Sequence, residues 1–430
     1  MVAPTVDNKS FSGRTTLSKE RRSDMKAHEK MLLDATMHAI HKKSVKWDAP
    51  VPPSDWSALM ELAAEQKVMP LVLEAVFSSP AAESFMDLPF YIQSSVRQVT
   101  VQTVKTAEFL RLYRFLSERG LRPMVIKGIL LRDLYPMPDH RPSGDEDVLI
   151  PEGTFDEYHR AMLDFGMVPV TDDVDSAYEV TYKMENSPLY IELHKHLFPP
   201  ESEAYGELNR HFENVFSRSK LTLHRGVELV SMNETDHLFY LICHAYKHFI
   251  HSGFGIRQIC DMALWSEKLG AEIDWNALYE KCAAAGCLKF AAAVFQMAHR
   301  HLDINAPLTD PWKKVRVDCG PMLYDLLEAG VYGSADMNRL HSAAITVEAV
   351  GQDRSNGKNA LLSAVFPSKN KMKKKYPVLN KHPYLLPGMW VVRLAKYGTE
   401  TLLSKNNSAA ESVKIARERT RLLRFYDIMK

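Results

Sequence analysis

The sequence predicts an α+β protein in which a small mixed sheet is flanked by an N-terminal and a C-terminal helical region. Apolar residues recur at helical spacing as far as residue 120 and again after residue 200. Between these limits, short apolar runs alternate with glycine, proline and polar turns, a pattern that is typical of strands. We therefore expect a disordered tail, an N-terminal helical region, an α/β core and a C-terminal helical region at residues 1–25, 26–120, 121–200 and 201–430.

The α/β core begins with a short strand that ends in a sharp turn. Pro123 to Ile126 is an apolar run, Lys127-Gly128 follows it, and Pro136 stops the one or two helical turns that come next. Beyond it the pattern predicts a strand, a helix and three further strands, at residues 146–150, 155–165, 167–170, 178–184 and 189–194.

After residue 200 the pattern predicts helices. Asn233, with Asp236 three residues later, is typical of a helix start. Ser412 to Met429 predicts a final basic helix with one stripe of positive charge, formed by Lys414, Arg417, Arg421 and Arg424. Such a stripe is usually a solvated face, and contact with a phosphate or an RNA is the alternative.

The composition is that of an ordinary globular protein, with 46% hydrophobic and 25% charged residues. A net charge of +1 gives no overall field that favours nucleic acid or an anionic membrane. The five cysteines form no CxxC pair, so neither a disulfide framework nor a cysteine zinc site is expected. Neither a signal peptide nor a transmembrane segment is recognisable, and we expect a cytoplasmic protein that does not contact a membrane.

The most informative motif is Gly144-Asp145-Glu146-Asp147, which leads directly into a predicted strand. Asp145 and Asp147 are two residues apart, so on a strand their side chains point to the same face. Two carboxylates on one face suit a hard divalent cation such as Mg²⁺. A third carboxylate, Glu192, lies on a later strand and can complete a second metal site or accept the proton of an attacking hydroxyl.

The turn at Lys127-Gly128 has the features of a phosphate-binding turn. Glycine lets the backbone approach a phosphate closely because no Cβ atom stands in the way, and the helix that follows offers its first N–H groups to the anion. Lys127 lies at this turn, and the guanidinium of Arg141 suits a phosphate bidentately. Positioning and charge neutralisation of this kind supply most of what phosphoryl or nucleotidyl transfer needs.

These residues resemble the polymerase-β-type nucleotidyltransferase superfamily, and in particular an uncharacterised bacterial branch of it. The resemblance rests on Lys127-Gly128, on Tyr135-Pro136 and on Arg141-x-Ser143-Gly144-Asp145-Glu146-Asp147. Abortive-infection nucleotidyltransferase toxins carry a related Lys-Gly-Gly pattern. Further similar stretches are Trp56 to Leu73, Glu192 to His194, His244 to His248, Arg257 to Asp261, Asp274-Trp275 and Arg417 to Tyr426.

The chain departs from the superfamily at two positions. Ile129 stands where glycine or serine usually follows the turn glycine, and Glu146 stands where an apolar residue usually separates the two aspartates. On a regular strand, Glu146 points away from the cleft.

The resemblance implies an enzyme that transfers a nucleoside monophosphate from an NTP to an acceptor and releases pyrophosphate, with Mg²⁺ or Mn²⁺ as cofactor. The implied metal ligands and catalytic residues are Asp145, Asp147 and Glu192. The implied nucleotide-binding residues are Lys127, Gly128, Arg141, Ser143 and Gly144. The acceptor stays open between a small molecule, a protein side chain and an RNA end, and the oligomeric state is equally open.

Four histidines fall within roughly 60° on one face of a predicted helix. They are His237, His244, His248 and His251. His244 and His248 have the spacing of a zinc pair, but Ala245 stands where a metalloprotease has glutamate, so a protease is not expected. A row that contacts nucleotide or substrate is one interpretation, ordinary core histidines are the other, and His194, His244 and His248 are the candidate cleft residues.

A second functional class is a catalytically weak nucleotide-binding or interaction module, toxin-like or regulatory, that retains the fold. The three intact carboxylates favour the enzyme. Ile129 and Glu146 are the features that favour the weaker module.

Overall fold

The structure is a computed structural model of the chain, and it describes residues 25–47, 50–171, 174–329, 337–354, 369, 372–373, 376, 378–392 and 409–429. The predicted tail at residues 1–25 lies outside this part of the chain, apart from Met25. The predicted α+β class is confirmed, because a mixed sheet of seven strands has helices before and after it in the chain. Within the described residues, no helix combines the length and the apolar character needed to cross a membrane.

A single sheet contains all the strands of the described residues. The strands β1 to β7 cover Met124–Val125, Glu146–Leu149, Met167–Pro169, Glu179–Met184, Tyr190–His194, Ser219–His224 and Val227–Met232. They are arranged in the order β3-β4-β5-β2-β1-β7-β6. The pairs β2–β5 and β1–β7 are parallel, and the other neighbours are antiparallel. All five strands predicted within residues 121–200 are present.

Strands β6 and β7 correct the prediction of helices alone after residue 200. They form a hairpin whose two turn residues, Arg225 and Gly226, both have positive φ. Strand β7 then pairs with β1, so the sheet takes one of its inner strands from beyond residue 200. The sequence does not reveal this hairpin because Arg-Gly is a weaker turn signal than Asn-Gly or Asp-Gly.

Helices precede and follow the strands of the sheet in the chain. The helices α1 to α15 cover Ala27–Ile40, Pro53–Glu65, Met69–Val76, Leu88–Glu118, Ile129–Arg132, Phe155–Asp164, Glu234–His251, Ile256–Lys268, Trp275–Ala284, Leu288–Leu302, Asp310–Lys313, Gly320–Ala329, Met337–Arg354, Val378–Lys381 and Ala409–Phe425. Helix α7 begins as predicted, because the side chain of Asn233 accepts a hydrogen bond from the N–H of Asp236.

Each face of the sheet packs against its own apolar core. Val148 of β2 belongs to a core that includes Phe109 of α4. Its neighbour Leu149 belongs to a larger core built by helices of both helical regions. Because side chains alternate along a strand, Asp147 lies on the side of the larger core, and its ladder partner Glu192 lies there too. The helices α7 and α8 contribute to that larger core, so the carboxylates face them.

Candidate active site

Three carboxylates come together where β2 and β5 lie side by side. Asp147 of β2 and Glu192 of β5 are partners in the parallel ladder, so their side chains leave the sheet on the same face. Asp145 stands two residues before Asp147, just ahead of β2. Its charge interacts with both of the other carboxylates. The structure thus brings the three predicted metal ligands to one end of one sheet face.

His194 adds a nitrogen to this cluster. Its Nε2 atom lies 3.3 Å from Asp147 Oδ1 and 3.7 Å from Glu192 Oε2. Its other ring nitrogen, Nδ1, lies 3.3 Å from Glu179 Oε2 on the neighbouring strand β4. Asp147, Glu192 and His194 each offer a ligand atom within 4.8 Å of the others, and the described residues contain no second group of this kind.

The groups of the cluster differ in charge. Burial and the neighbouring Asp147 carboxylate raise the pKa of Asp145 to about 7. Burial opposes the ionisation of Asp147 as well, but Lys127, whose Nζ lies 2.7 Å from Asp147 Oδ1, and His194 outweigh it and hold its pKa well below the usual range. Burial disfavours charge on His194, yet its hydrogen bond to Asp147 and the nearby carboxylate of Glu192 raise its pKa to about 9. At neutral pH, Asp147 is therefore a carboxylate between two cations.

The turn at Gly128 requires glycine. Its φ is +64°, and a Cβ atom at this position would fall 1.8 Å from Glu146 Oε2. That carboxylate accepts the N–H of Ile129 at 3.0 Å and pairs with Arg132 Nη1 at 2.6 Å. Glu146 therefore lies behind the turn, on the other face of β2 from Asp147. Its bond to Ile129 occupies an N–H group that was a candidate phosphate donor.

Arg141 joins the α/β core to helix α8. Its Nε and Nη2 atoms donate to the two oxygens of Asp261, at 2.6 and 2.7 Å. The hydroxyl of Tyr135 donates to the same carboxylate at 2.8 Å, and all three side chains are buried. The remaining Nη1 atom of Arg141 has no protein partner. Two residues of the motif, Tyr135 and Arg141, are thus connected through Asp261, for which the sequence analysis predicts no role.

The loop at Ser143-Gly144 is held from behind by helix α4. Lys105 Nζ donates to the carbonyl oxygens of both residues, at 2.9 and 2.6 Å. Gln102 Oε1 accepts the N–H of Ser143 at 2.8 Å, and Arg132 Nη1 donates to the Ser143 hydroxyl at 3.0 Å. These bonds fix the loop immediately before Asp145. Gln102 and Lys105 cannot be recognised as site residues from the sequence, because polar residues on a helix ordinarily face solvent.

The four-histidine row divides between the cleft, the core and the exposed end of α7, where His251 lies. His244 Nε2 lies 3.0 Å from Lys127 Nζ and 3.2 Å from His248 Nε2, so these two histidines extend the cleft. Burial, with the neighbouring lysines, lowers the pKa of both rings well below the usual range, and both are neutral. His237 instead stacks on Trp265 in the core, with ring centroids 4.2 Å apart.

A small polar pocket lies between the sheet and the helices α7 and α8. Its lining includes seven predicted site residues, Lys127, Gly128, Arg141, Ser143, Asp145, Asp147 and His244. Helix α8 adds Arg257 and Gln258, for which the sequence analysis predicts no individual role. Three buried donor atoms of the lining have no protein partner, namely Arg141 Nη1, Arg257 Nε and Gln258 Nε2. Unpaired buried donors beside carboxylates suit a ligand that carries acceptor oxygens.

A family of uncharacterised nucleotidyltransferases matches residues 52–303, which is more than half of the chain. The chain belongs to this family. No curated protein and no solved structure matches it. The matched range contains the aspartates, Glu192 and the helices α7 and α8, so the whole cleft lies within the nucleotidyltransferase family region. The predicted resemblance is thereby confirmed.

A nucleotidyltransferase implies a divalent metal ion, and the donor set of the cleft fits one. Carboxylate oxygens of Asp147 and Glu192 lie close enough together to share an ion. The raised pKa of Asp145 reflects burial and a local surplus of negative charge, which a cation would relieve. The carboxylates of Asp145, Asp147 and Glu192 therefore fit a metal ion, at a position close to Lys127.

Proposed function

We propose that the protein transfers a nucleoside monophosphate from an NTP to an acceptor, with release of pyrophosphate, in a reaction that depends on a divalent metal such as Mg²⁺. The observation that carries the proposal is the in-register pair Asp147 and Glu192, with Asp145 two residues away. The two aspartates line one pocket with the Gly128 turn. Membership of a nucleotidyltransferase family supports the same reaction class. The acceptor can be a small molecule, a protein or an RNA.

Each group of the cleft has a role in this reaction. Gly128 lets the backbone approach a phosphate, and Lys127 can exchange its Asp147 partner for a phosphate oxygen. Asp145, Asp147 and Glu192 would hold the metal. When bound, Mg²⁺ would neutralise and orient the phosphate oxygens. Glu192 keeps 26% of its side chain exposed, so it can also accept the proton of an acceptor hydroxyl.

Radiolabelled NTPs test the proposal. Purified protein is incubated with each NTP, Mg²⁺ and a cell extract, and the products are separated. We expect label to pass to an acceptor and pyrophosphate to appear in equal amount. The double variant Asp145→Asn with Asp147→Asn should abolish both products while its circular dichroism spectrum stays unchanged, and Asp164→Asn, an exposed acid at the end of α6, is the matched control. Transfer by the double variant at the wild-type rate would exclude this function.

The second candidate is a catalytically weak nucleotide-binding or interaction module. One observation favours it, because two predicted phosphate contacts are already bonded within the protein. Arg141 donates twice to Asp261, and the N–H of Ile129 donates to Glu146. For such a module, calorimetry would detect NTP binding, whereas the labelling experiment would show no transfer to any acceptor.

A further inference from the structure

We propose that Asp147, Glu192 and His194 form a site for a divalent transition metal ion in preference to Mg²⁺, and that Glu179 positions the His194 ring. The inference deepens the proposed function, because it adds His194 to the metal ligands and replaces Mg²⁺ with a transition metal ion. It rests on that function for the use of the metal in catalysis. Metal binding itself is measured without a nucleotide, so the two can fail separately.

The distances within the cluster match those of ligands around one ion. Metal–nitrogen and metal–oxygen bonds of about 2.0 to 2.2 Å at tetrahedral or octahedral angles place neighbouring ligand atoms about 3.0 to 3.5 Å apart. His194 Nε2 lies 3.3 Å from Asp147 Oδ1 and 3.7 Å from Glu192 Oε2. The ligand atoms of all three side chains lie within 4.8 Å of one another. An ion could therefore bind all three after side-chain adjustment, with loss of the proton from His194 Nε2.

The ring of His194 is oriented in the way that metal-binding histidines usually are. The residue is 3% exposed, so its position is set by packing. Glu179 is its direct partner in the antiparallel ladder between β4 and β5, and Glu179 Oε2 lies 3.3 Å from Nδ1. His194 Nδ1 is buried and has no hydrogen-bond partner in the structure, so a small rotation of the Glu179 carboxylate would supply one. A carboxylate bonded to the far nitrogen fixes the ring and makes the near nitrogen a better ligand. The near nitrogen, Nε2, is the one that faces Asp147 and Glu192.

The imidazole decides which ions the site prefers. Mg²⁺ binds oxygen ligands and dehydrates reluctantly, so a nitrogen ligand adds little to its affinity. Imidazole is a good ligand for first-row transition metals. A site with two carboxylates and one imidazole therefore favours Mn²⁺, Co²⁺ or Zn²⁺ over Mg²⁺, whereas a site of three carboxylates would not discriminate in this way.

Lys127 is the natural competitor of such an ion. Its Nζ lies 2.7 Å from Asp147 Oδ1, which is the oxygen nearest to His194. A divalent ion at the cluster would displace this ammonium group from Asp147. His244 Nε2, 3.0 Å from Lys127 Nζ, offers a neutral acceptor in the same cleft. The variant Lys127→Gln should consequently bind Mn²⁺ more tightly than the wild type.

Mn²⁺ electron paramagnetic resonance of the full chain, without nucleotide, tests the site. Titration gives the Mn²⁺ affinity, competition gives the Mg²⁺ affinity, and pulsed spectra of the bound ion report nitrogen ligands directly. We expect nitrogen hyperfine coupling typical of one imidazole in the wild type. His194→Gln should remove the coupling and weaken Mn²⁺ binding at least about tenfold, while Mg²⁺ binding changes less than about threefold.

Two further variants keep the test decisive. His196→Gln removes an exposed imidazole two residues away and should leave both affinities and the nitrogen coupling unchanged. Glu179→Gln keeps all three ligands and should weaken Mn²⁺ binding about tenfold, so it serves if His194→Gln does not fold. A wild-type spectrum without nitrogen coupling, or equal losses of Mn²⁺ and Mg²⁺ affinity in His194→Gln, would overturn the proposal. Nitrogen coupling without any nucleotide transfer would confirm the metal site and count against the proposed function alone.

Discussion

At the scale of single residues, the turn at Gly128 and the carboxylate of Glu146 depend on each other. The missing side chain of Gly128 leaves the space that Glu146 Oε2 fills, and this oxygen accepts the N–H of Ile129. Arg132 compensates the buried charge of Glu146, with both side chains about 1% exposed. The two departures from the superfamily pattern, Ile129 and Glu146, are thus joined in one structural unit behind the cleft.

Gly128→Ala should therefore destabilise the protein by more than an alanine substitution at another glycine with positive φ. A Cβ at Gly128 meets Glu146 Oε2, and we expect a loss of at least about 2 kcal/mol in the free energy of unfolding. Gly153→Ala is the matched control, because Gly153 has a φ of +78° but open space around its Cβ position, and its cost should be about 1 kcal/mol. Denaturant unfolding of both variants measures the difference, and equal losses would show that the contact with Glu146 is unimportant.

Glu192→Gln should lower kcat more than it raises the KM for the NTP. A proton acceptor or metal ligand of the reacting groups acts mainly in the transition state, so we expect kcat to fall about 100-fold or more and KM to change less than about threefold. Steady-state kinetics provide the test. Glu185→Gln, an exposed acid in the turn between β4 and β5, should behave as wild type. An unchanged kcat with a raised KM would make Glu192 an ordinary binding residue.

At the scale of elements, the helices α7 and α8 form the wall of the cleft that lies opposite the sheet. The larger apolar core joins both helices to the face of the sheet that carries Asp147. Helix α7 brings His244 and His248 to Lys127, and α8 brings Asp261 to Arg141. The cleft thus depends on contacts between segments about a hundred residues apart.

His244→Ala with His248→Ala should weaken nucleotide binding or turnover without changing the zinc content of the protein. The double variant removes the imidazole neighbour of Lys127. The loss of one hydrogen-bond partner should reduce nucleotide affinity or turnover about tenfold. Kinetics and metal analysis of purified protein are the measurements. His251→Ala, at the end of the same helix, is the control. About one zinc per chain in the wild type, lost in the double variant, would instead indicate a separate metal site.

At the scale of the whole molecule, one buried aspartate connects the C-terminal helices to α7. Asp325 of α12 pairs with Arg339 of α13 at 2.7 Å and with Arg419 of α15 at 2.8 Å. Arg339 also donates to the carbonyl of Ser252, and Arg419 donates to the carbonyl of Phe249, both at the end of α7. The most deeply buried arginine of the final helix, Arg419, does not belong to the predicted basic stripe. Arg417 and the other members of the stripe are exposed.

Asp325→Asn should lower the free energy of unfolding by about 3–5 kcal/mol at neutral pH, because two buried guanidinium groups lose their counter-charge. Burial opposes the ionisation of Asp325, but the two arginines outweigh it and hold its pKa below the usual value. Its contribution is therefore fully present above the unfolded pKa of about 3.9 and is lost as the pH falls through the lower folded value.

Denaturant unfolding at about pH 7 and about pH 3 measures this contribution. The difference in stability between wild type and Asp325→Asn should be smaller at the lower pH. Asp310→Asn, in an ion pair whose aspartate is 83% exposed, should change little at either pH. A difference that stays constant with pH would show that Asp325 is not charged in the folded protein.

The sequence by itself determined the local features of this protein. Short apolar runs between glycine, proline and polar turns revealed β1 to β5, and the spacing of Asp145 and Asp147 indicated that both carboxylates leave the sheet on one face. The glycine after β1 marked the turn, and the positive φ of Gly128 agrees with it. These features are readable because each follows from a few consecutive residues and from the geometry of one strand or turn.

Only the tertiary structure decided which distant groups complete the cleft. The ring of His194 lies between Asp147 and Glu179 because β5 is paired on both sides, and Asp261 reaches Arg141 because α8 packs against the core. No local period encodes such contacts, since they depend on which elements pack together. The position of β7 as an inner strand of the sheet has the same cause, because it depends on the pairing of β7 with β1.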